Sequence, residues 1–172
     1  MTKPLFFSAL LASAFASAAA QSRPVTVTFH DAKGDSIGTA RLTAAPSGVS
    51  IALAVKGLSP GEHAIHVHRT PACEGPAFTS AGGHFNPERK QHGLENPQGP
   101  HAGDMRNFTV GPSGESNATV MAPGITLDTG AHSVFADGGT ALVIHEAADD
   151  LKTDPTGNAG GRVACAVIKR PG

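Results

Sequence analysis

Two histidines stand two residues apart in the run His63-Ala64-Ile65-His66-Val67-His68. Side chains alternate across a strand, so a strand here points the imidazoles of His66 and His68 to one face. Further along come His84, His92, His101, Asp104 and His145, all of metal-ligating type. Their order suits two metal sites with one ligand in common. Imidazole-rich sites take ions such as copper and zinc. Singly, each residue has an ordinary reading as a loop histidine, a turn residue or a solvated side chain. Their number and spacing carry the signal. His63 falls out of phase with His66 and His68, so a buried hydrogen-bonding role is assigned to it. His30 and His132 receive no role.

The elements that must hold these residues are short strands. Val25, Val27 and Phe29 alternate with Thr26, Thr28 and His30, which reads as a half-buried strand. Asp31 to Asp35 is a turn. A weaker strand follows, with Ile37, Thr39, Arg41 and Thr43 on one face and Gly38, Ala40 and Leu42 on the other. Val49, Ile51, Leu53 and Val55 give the cleanest alternation in the chain. A strand His63–His68 comes next. From Arg69 to Asp104 periodicity disappears, and a loop of that length needs a function or a clamp. Strand character returns at Phe108, Ala118, Ala141 and Val163, with a second long loop from Glu146 to Gly161. Eight short strands separated by turns point to an antiparallel barrel or sandwich.

The chain has 172 residues with 21 glycines and 13 prolines, a size that suits one domain. A formal charge of −1 with no Trp or Tyr gives no electrostatic or stacking case for a nucleic-acid partner. Lys3 followed by an apolar, Ala-rich run ending in Ala18-Ala19-Ala20 has the form of a cleaved secretory signal. The expected division is therefore a signal peptide over 1–20 and a domain over 21–172. That run is too short and too weakly apolar for a membrane span. The expectation is a periplasmic or secreted protein with no stable membrane insertion. Export bears on Cys73 and Cys165, the chain's two cysteines, which are expected to pair in an oxidising compartment.

Five stretches carry a family resemblance. They are Gly61-Glu62-His63-Ala64-Ile65-His66-Val67-His68, Ser80-Ala81-Gly82-Gly83-His84-Phe85-Asn86-Pro87, Gly99-Pro100-His101-Ala102-Gly103-Asp104, Leu142-Val143-Ile144-His145-Glu146 and Gly157-Asn158-Ala159-Gly160-Gly161-Arg162-Val163-Ala164-Cys165. In these the chain resembles the copper/zinc superoxide dismutases of the bacterial exported type, from about Val25 to the C-terminus. The resemblance implies an all-β, eight-stranded, antiparallel Greek-key barrel or sandwich, immunoglobulin-like, with two long functional loops. It implies one copper on His66, His68, His84 and His145, and one zinc on His84, His92, His101 and Asp104. His84 would bridge the two ions. Asp149 would link His66 to His92 from outside the ligand shell, and Arg162 would dock the superoxide anion beside copper. The implied activity converts superoxide to dioxygen and hydrogen peroxide, and the implied assembly includes a possible homodimer.

Some positions depart from the commoner family pattern. Arg69 and Pro71 follow His68 where an acidic or amide residue and a glycine are more usual. Pro155 precedes Thr156 where animal members carry a lysine. None of these removes a ligand. Two other readings compete: an exported copper/zinc binding or buffering protein on the same fold, and a structural β-sandwich with adventitious histidines. A buffer needs neither a bridging ligand nor an anion dock, so His84 and Arg162 favour the enzyme.

Overall fold

The structure is a computed structural model, and it describes residues 23–172. The signal-peptide expectation over 1–20 lies outside the described residues. Among those described there are nine strands: β1 Val25–Asp31, β2 Ser36–Ala45, β3 Gly48–Val55, β4 Gly61–His63, β5 Ile65–His68, β6 Phe108–Val110, β7 Thr119–Ala122, β8 Thr140–His145 and β9 Arg162–Ile168. All pairings between them are antiparallel. Seven strands run in the order β5-β8-β9-β1-β2-β3-β7, and β4 pairs with β6. The hairpins β1–β2 and β2–β3 are sequential neighbours; β3–β7, β5–β8 and β9–β1 are returns over long stretches of chain. This is the all-β Greek-key barrel that the sequence pattern and the resemblance call for.

The ninth strand arises at Ala64. The expected single strand His63–His68 changes partner there: His63 pairs with Phe108 and Ile65 with Ile144. Ala64 itself donates to Ala147 O and accepts from His145 N, both at 2.9 Å. A strand that crosses between sheets makes a corner of this kind, and hydrophobic periodicity does not record it.

A second departure lies in β2. Ile37 is buried while Thr39 and Arg41 are exposed, so the three do not share a face. The register against β1 slips at this point, with Phe29 opposite Gly38 and His30 opposite Ser36. The extra residue is Ile37, and a bulge of this kind turns it inward. Gly38 adopts φ +146, and a Cβ there would meet Ala54 O at 2.1 Å. Glycine is needed where β3 comes this close.

The inner faces form one continuous core that includes Phe29, Leu42, Ile51, Ile65, Val67, Leu142, Ile144 and Ile168. The outer face of β8 and β9 is also buried. There Ala141, Val143 and Cys165 pack with Phe78 and Ala81 of the first long loop. That loop has one 3-10 turn, Thr79–Ala81, and no strand. Cys73 and Cys165 form a disulfide that fastens it to β9. The six residues of β8 are therefore all buried, with core on one side and loop on the other.

Candidate metal centre

His66 and His68 on β5 and His145 at the end of β8 leave the barrel on its outer face, beneath the two long loops. The first loop brings His84, His92, His101 and Asp104 to the same place, and the second brings Asp149. All these side chains are buried. An isolated bridge between His68 and His84 and the bond from Phe85 N to Val67 O lay the loop along β5 like an added strand. That contact carries His84 to the other histidines. Gly103 donates to Phe85 O and accepts from Val67 N, and its Cβ would stand 2.3 Å from Val67 O. A side chain at Gly103 would wedge β5 away from the Asp104 turn.

The tautomers follow from the partners. A carboxylate or a carbonyl only accepts, so the ring nitrogen facing it is the one that carries the proton. His66 Nε2 donates to Asp149 Oδ2 at 2.7 Å and His68 Nδ1 donates to Gly82 O at 2.9 Å. His145 Nδ1 donates to Gly160 O at 3.3 Å, and His92 Nε2 donates to Asp149 Oδ1 at 3.0 Å. His66, His68 and His145 keep their other nitrogen as a bare lone pair, whereas His92 Nδ1 faces Asp104 Oδ1 at 3.1 Å. Among the described residues five buried ring nitrogens have no hydrogen-bond partner: His66 Nδ1, His68 Nε2, His84 Nε2, His92 Nδ1 and His145 Nε2. Buried polar atoms are normally satisfied, and a set of inward lone pairs is what a metal ion fills.

The donors fall into two groups. Those of His66, His68, His84 and His145 lie within 4.8 Å of one another. So do those of His66, His84, His92 and Asp104. His101 stands at the edge of the second group, with Nδ1 3.2 Å from Asp104 Oδ1 and 3.3 Å from His84 Nδ1. Asp104 Oδ1 is also 2.9 Å from His84 Nδ1 and 3.1 Å from His92 Nδ1. A tetrahedral zinc with bonds of about 2.0–2.1 Å sets its donors about 3.3 Å apart. The distances from Asp104 Oδ1 to His84, His92 and His101, and from His101 to His84, are close to that spacing. His84 turns Nε2 to the first group and Nδ1 to the second, so it faces both.

Burial and crowding set the charges. Burial first, then the nearby His84, lowers the pKa of His68 to about 2. Burial lowers His145 to about 3, with His66 adding to it. His84 falls to about 4 because burial outweighs its bond to Asp104. These three rings are held neutral, the form in which imidazole binds metal. In His92 burial is outweighed by two carboxylates, Asp104 beside Nδ1 and Asp149 bonded to Nε2, which raise its pKa to about 9. Asp104 and Asp149 are each held below the carboxylate range, because bonds from histidines overcome their own burial.

Arg162 reaches this face through a bulge. Ile144 pairs with Ala164, but His145 pairs with Arg162, leaving Val163 as the extra residue. Val163 and Ala164 both pack on the core, and Arg162 emerges beside His145. Its guanidinium donates to Phe78 O at 2.6 Å and to Gly82 O at 2.7 Å. Burial lowers its pKa, though a guanidinium stays charged in proteins. Arg162 and His84 line an open cleft of about 850 Å³ with Arg69, Arg89, Asp137 and Thr156.

Sequence reasoning missed several supporting residues. Asn107 donates to Asp149 O and accepts from Asp149 N, at 2.9 and 2.8 Å, clasping that residue from β6's side. Gly157, at φ +64, lies over the Asp149 carboxylate, and a Cβ there would be 1.9 Å from Oδ1. No local pattern marks either. His63 hydrogen-bonds His145 O at 2.7 Å and Ser59 O at 2.8 Å, so it buttresses the end of β8.

Comparison with known proteins agrees with this geometry. The family model described as copper/zinc superoxide dismutase matches residues 36–168. The chain is 47% identical over 163 residues to superoxide dismutase [Cu-Zn] 1 of Aquifex aeolicus, covering 94% of this chain and 96% of that one. It is 52% identical over 139 residues to superoxide dismutase [Cu-Zn] 2 of the same organism, covering 80% and 81%. The crystal structure of a SOD-like protein from Bacillus subtilis superposes with a TM-score of 0.80 at 35% identity, covering 83% of this chain and 97% of that chain. Ligand-type residues, fold and sequence thus agree over most of the length, and the chain belongs to the copper/zinc superoxide dismutase family.

Proposed function

We propose that the protein is an exported superoxide dismutase, with copper on His66, His68, His84 and His145 and zinc on His84, His92, His101 and Asp104. The observation that carries this reading is His84. It is the one ring with both nitrogens turned inward, Nδ1 to Asp104 and Nε2 to the first group. Two divalent ions can strip both protons from such an imidazole. Copper, when bound, would supply the one-electron redox chemistry, and zinc would have no redox role.

The chain's own residues do the rest. Arg162, pinned on two carbonyls at the cleft floor, meets the incoming anion with a fixed positive charge. His84 Nε2 would carry one proton to the reduced oxygen and solvent would supply the second, so that two superoxides and two protons yield dioxygen and hydrogen peroxide. Asp149 holds His66 and His92 at fixed angles and makes both rings more basic toward metal. The Cys73–Cys165 disulfide suits an oxidising compartment, and with the Ala-rich leader it supports a periplasmic or secreted location. Among the described residues no helix is long and apolar enough to cross a membrane. The reading admits a homodimer.

The test is superoxide decay catalysed by residues 21–172 carrying one copper and one zinc, with both metals quantified in the same sample. Fast decay is expected. His84→Ala should lose metal from both sites, whereas Arg162→Ala should keep both metals and slow by about tenfold, the lower end of what a charged cleft adds to an on-rate. Slow decay with both metals in place would make the protein a metal carrier on this fold.

A further inference from the structure

Asp154 sits in the second loop, immediately before the cleft residues Pro155 and Thr156. Its Oδ1 accepts the backbone N–H of His92, in the first loop, at 2.6 Å. The same oxygen lies 3.9 Å from His101 Nε2. His101 turns Nδ1 toward Asp104, so Nε2 is its outer nitrogen. Every other histidine of the two groups with an outer nitrogen has that nitrogen bonded: His66 and His92 to Asp149, His68 to Gly82 O, His145 to Gly160 O. Among the described residues the outer nitrogen of His101 has no hydrogen bond, and the carboxylate that faces it belongs to Asp154. Metal-bound histidines regularly give that proton to a carboxylate or carbonyl, and the partner sets ring orientation and basicity.

We infer that Asp154 is a positioning residue for the zinc site, holding His92 through its backbone and His101 through its outer nitrogen; this rests on the ligand assignment proposed above. It complements Asp149, which joins a copper histidine to a zinc histidine. Asp154 instead joins two zinc histidines to the wall of the substrate cleft. The backbone around it is tightly laid. Asn96 donates to His92 O at 2.9 Å and to Lys152 O at 3.3 Å, and Glu95 N donates to Leu151 O at 2.9 Å. The two loops are therefore stitched together at Leu151 and Lys152, just before Asp154. Its carboxylate is 45% exposed, so nothing in the core demands an acid here. The two contacts to ligand residues account for it.

Asp154→Ala removes both contacts. Asp154→Asn keeps an acceptor for His92 N–H and removes the charge beside His101. Each variant is to be compared with the parent in two forms, as the copper/zinc protein and as copper-loaded protein carrying cobalt(II) in place of zinc, the copper of the latter held reduced and colourless. The readouts are the visible bands of cobalt, zinc loss to a chelator and hydrogen exchange at the His92 amide. For Asp154→Ala the bands should shift, zinc should be lost about 10- to 100-fold more readily, and the amide should exchange faster. Asp154→Asn should restore amide protection and recover part of the zinc retention. Parent-like spectra and zinc retention in both variants would overturn the inference. An unfolded Asp154→Ala beside a parent-like Asp154→Asn would also overturn it, since the residue would then be structural only. A parent that takes up neither zinc nor cobalt would instead sink the ligand assignment.

Discussion

Individual side chains in this centre are held in unusual protonation states, and the metal-free protein should show it. His68, His84 and His145 are kept neutral, at about 2, 4 and 3 against an ordinary 6.5. The unfolded chain binds protons at these rings below pH 6.5 and the folded chain does not. Their contribution is complete above that pH and is lost as pH falls, by about 1.4 kcal/mol per pH unit for each ring. His92 runs the other way. Its pKa is raised to about 9, so its contribution is complete below 6.5 and is lost as pH rises through 9. Stability of the metal-stripped protein should therefore peak near pH 6.5 and fall more steeply on the acid side. Denaturant titrations at several pH values would check this, and a flat profile between pH 7 and 5 would contradict it. Bound metal should move the acid limb lower, because ions and protons compete for the same lone pairs.

At the scale of elements, the first long loop matters through what it clamps. The disulfide spans a sequence separation of 92 and fixes the loop to β9, two strand positions past the bulge that aims Arg162. The carbonyls that hold the guanidinium, Phe78 O and Gly82 O, belong to that loop. The double variant Cys73→Ser/Cys165→Ser should lose about 2–5 kcal/mol of stability. It should also lose rate per bound copper, because Arg162 is no longer fixed. An unchanged rate per copper would show that the loop holds Arg162 without the bridge. Legibility in the sequence follows the same division. The alternation Val49, Ile51, Leu53, Val55 was readable because each residue faces core in a regular ladder. The bulges at Ile37 and Val163 and the corner at Ala64 were not, because each is a change of hydrogen-bond partner at an apolar residue of unchanged type. The ligand residues were visible as types in order. Their supports Asn107, Gly157 and Asp154 were not, because each acts on a residue far away in the sequence, through a side-chain contact or a close approach that no local pattern marks.

For the whole molecule, charge is close to balanced at −1, yet the cleft carries Arg69, Arg89 and Arg162 against one lining carboxylate, Asp137. Arg69 stands where the family more often has an acidic or amide residue. Its Nε would be 3.0 Å from a Cβ on Gly82, the residue whose carbonyl holds Arg162. Two guanidinium groups thus flank one glycine at the cleft. Screening shortens from about 30 Å at 0.01 M salt to about 10 Å at 0.1 M. Catalysed superoxide decay should slow severalfold over that range, and Arg69→Glu should flatten the slope with metal content unchanged. A slope indifferent to Arg69 would leave attraction to Arg162 alone.

The bulge at Val163 also guards the joining of the sheet. β9 joins β8 on one side and β1 on the other, so it ties the pair β5–β8 to the β1–β2–β3 meander. A slip of one residue would carry Arg162 to the inner face, among Ile144 and its neighbours, with no partner for its charge. Burying an unpaired cation costs several kcal/mol. The arginine that receives substrate in the finished molecule thereby penalises the mispaired sheet, and β9 is proofread by the residue at its own first position.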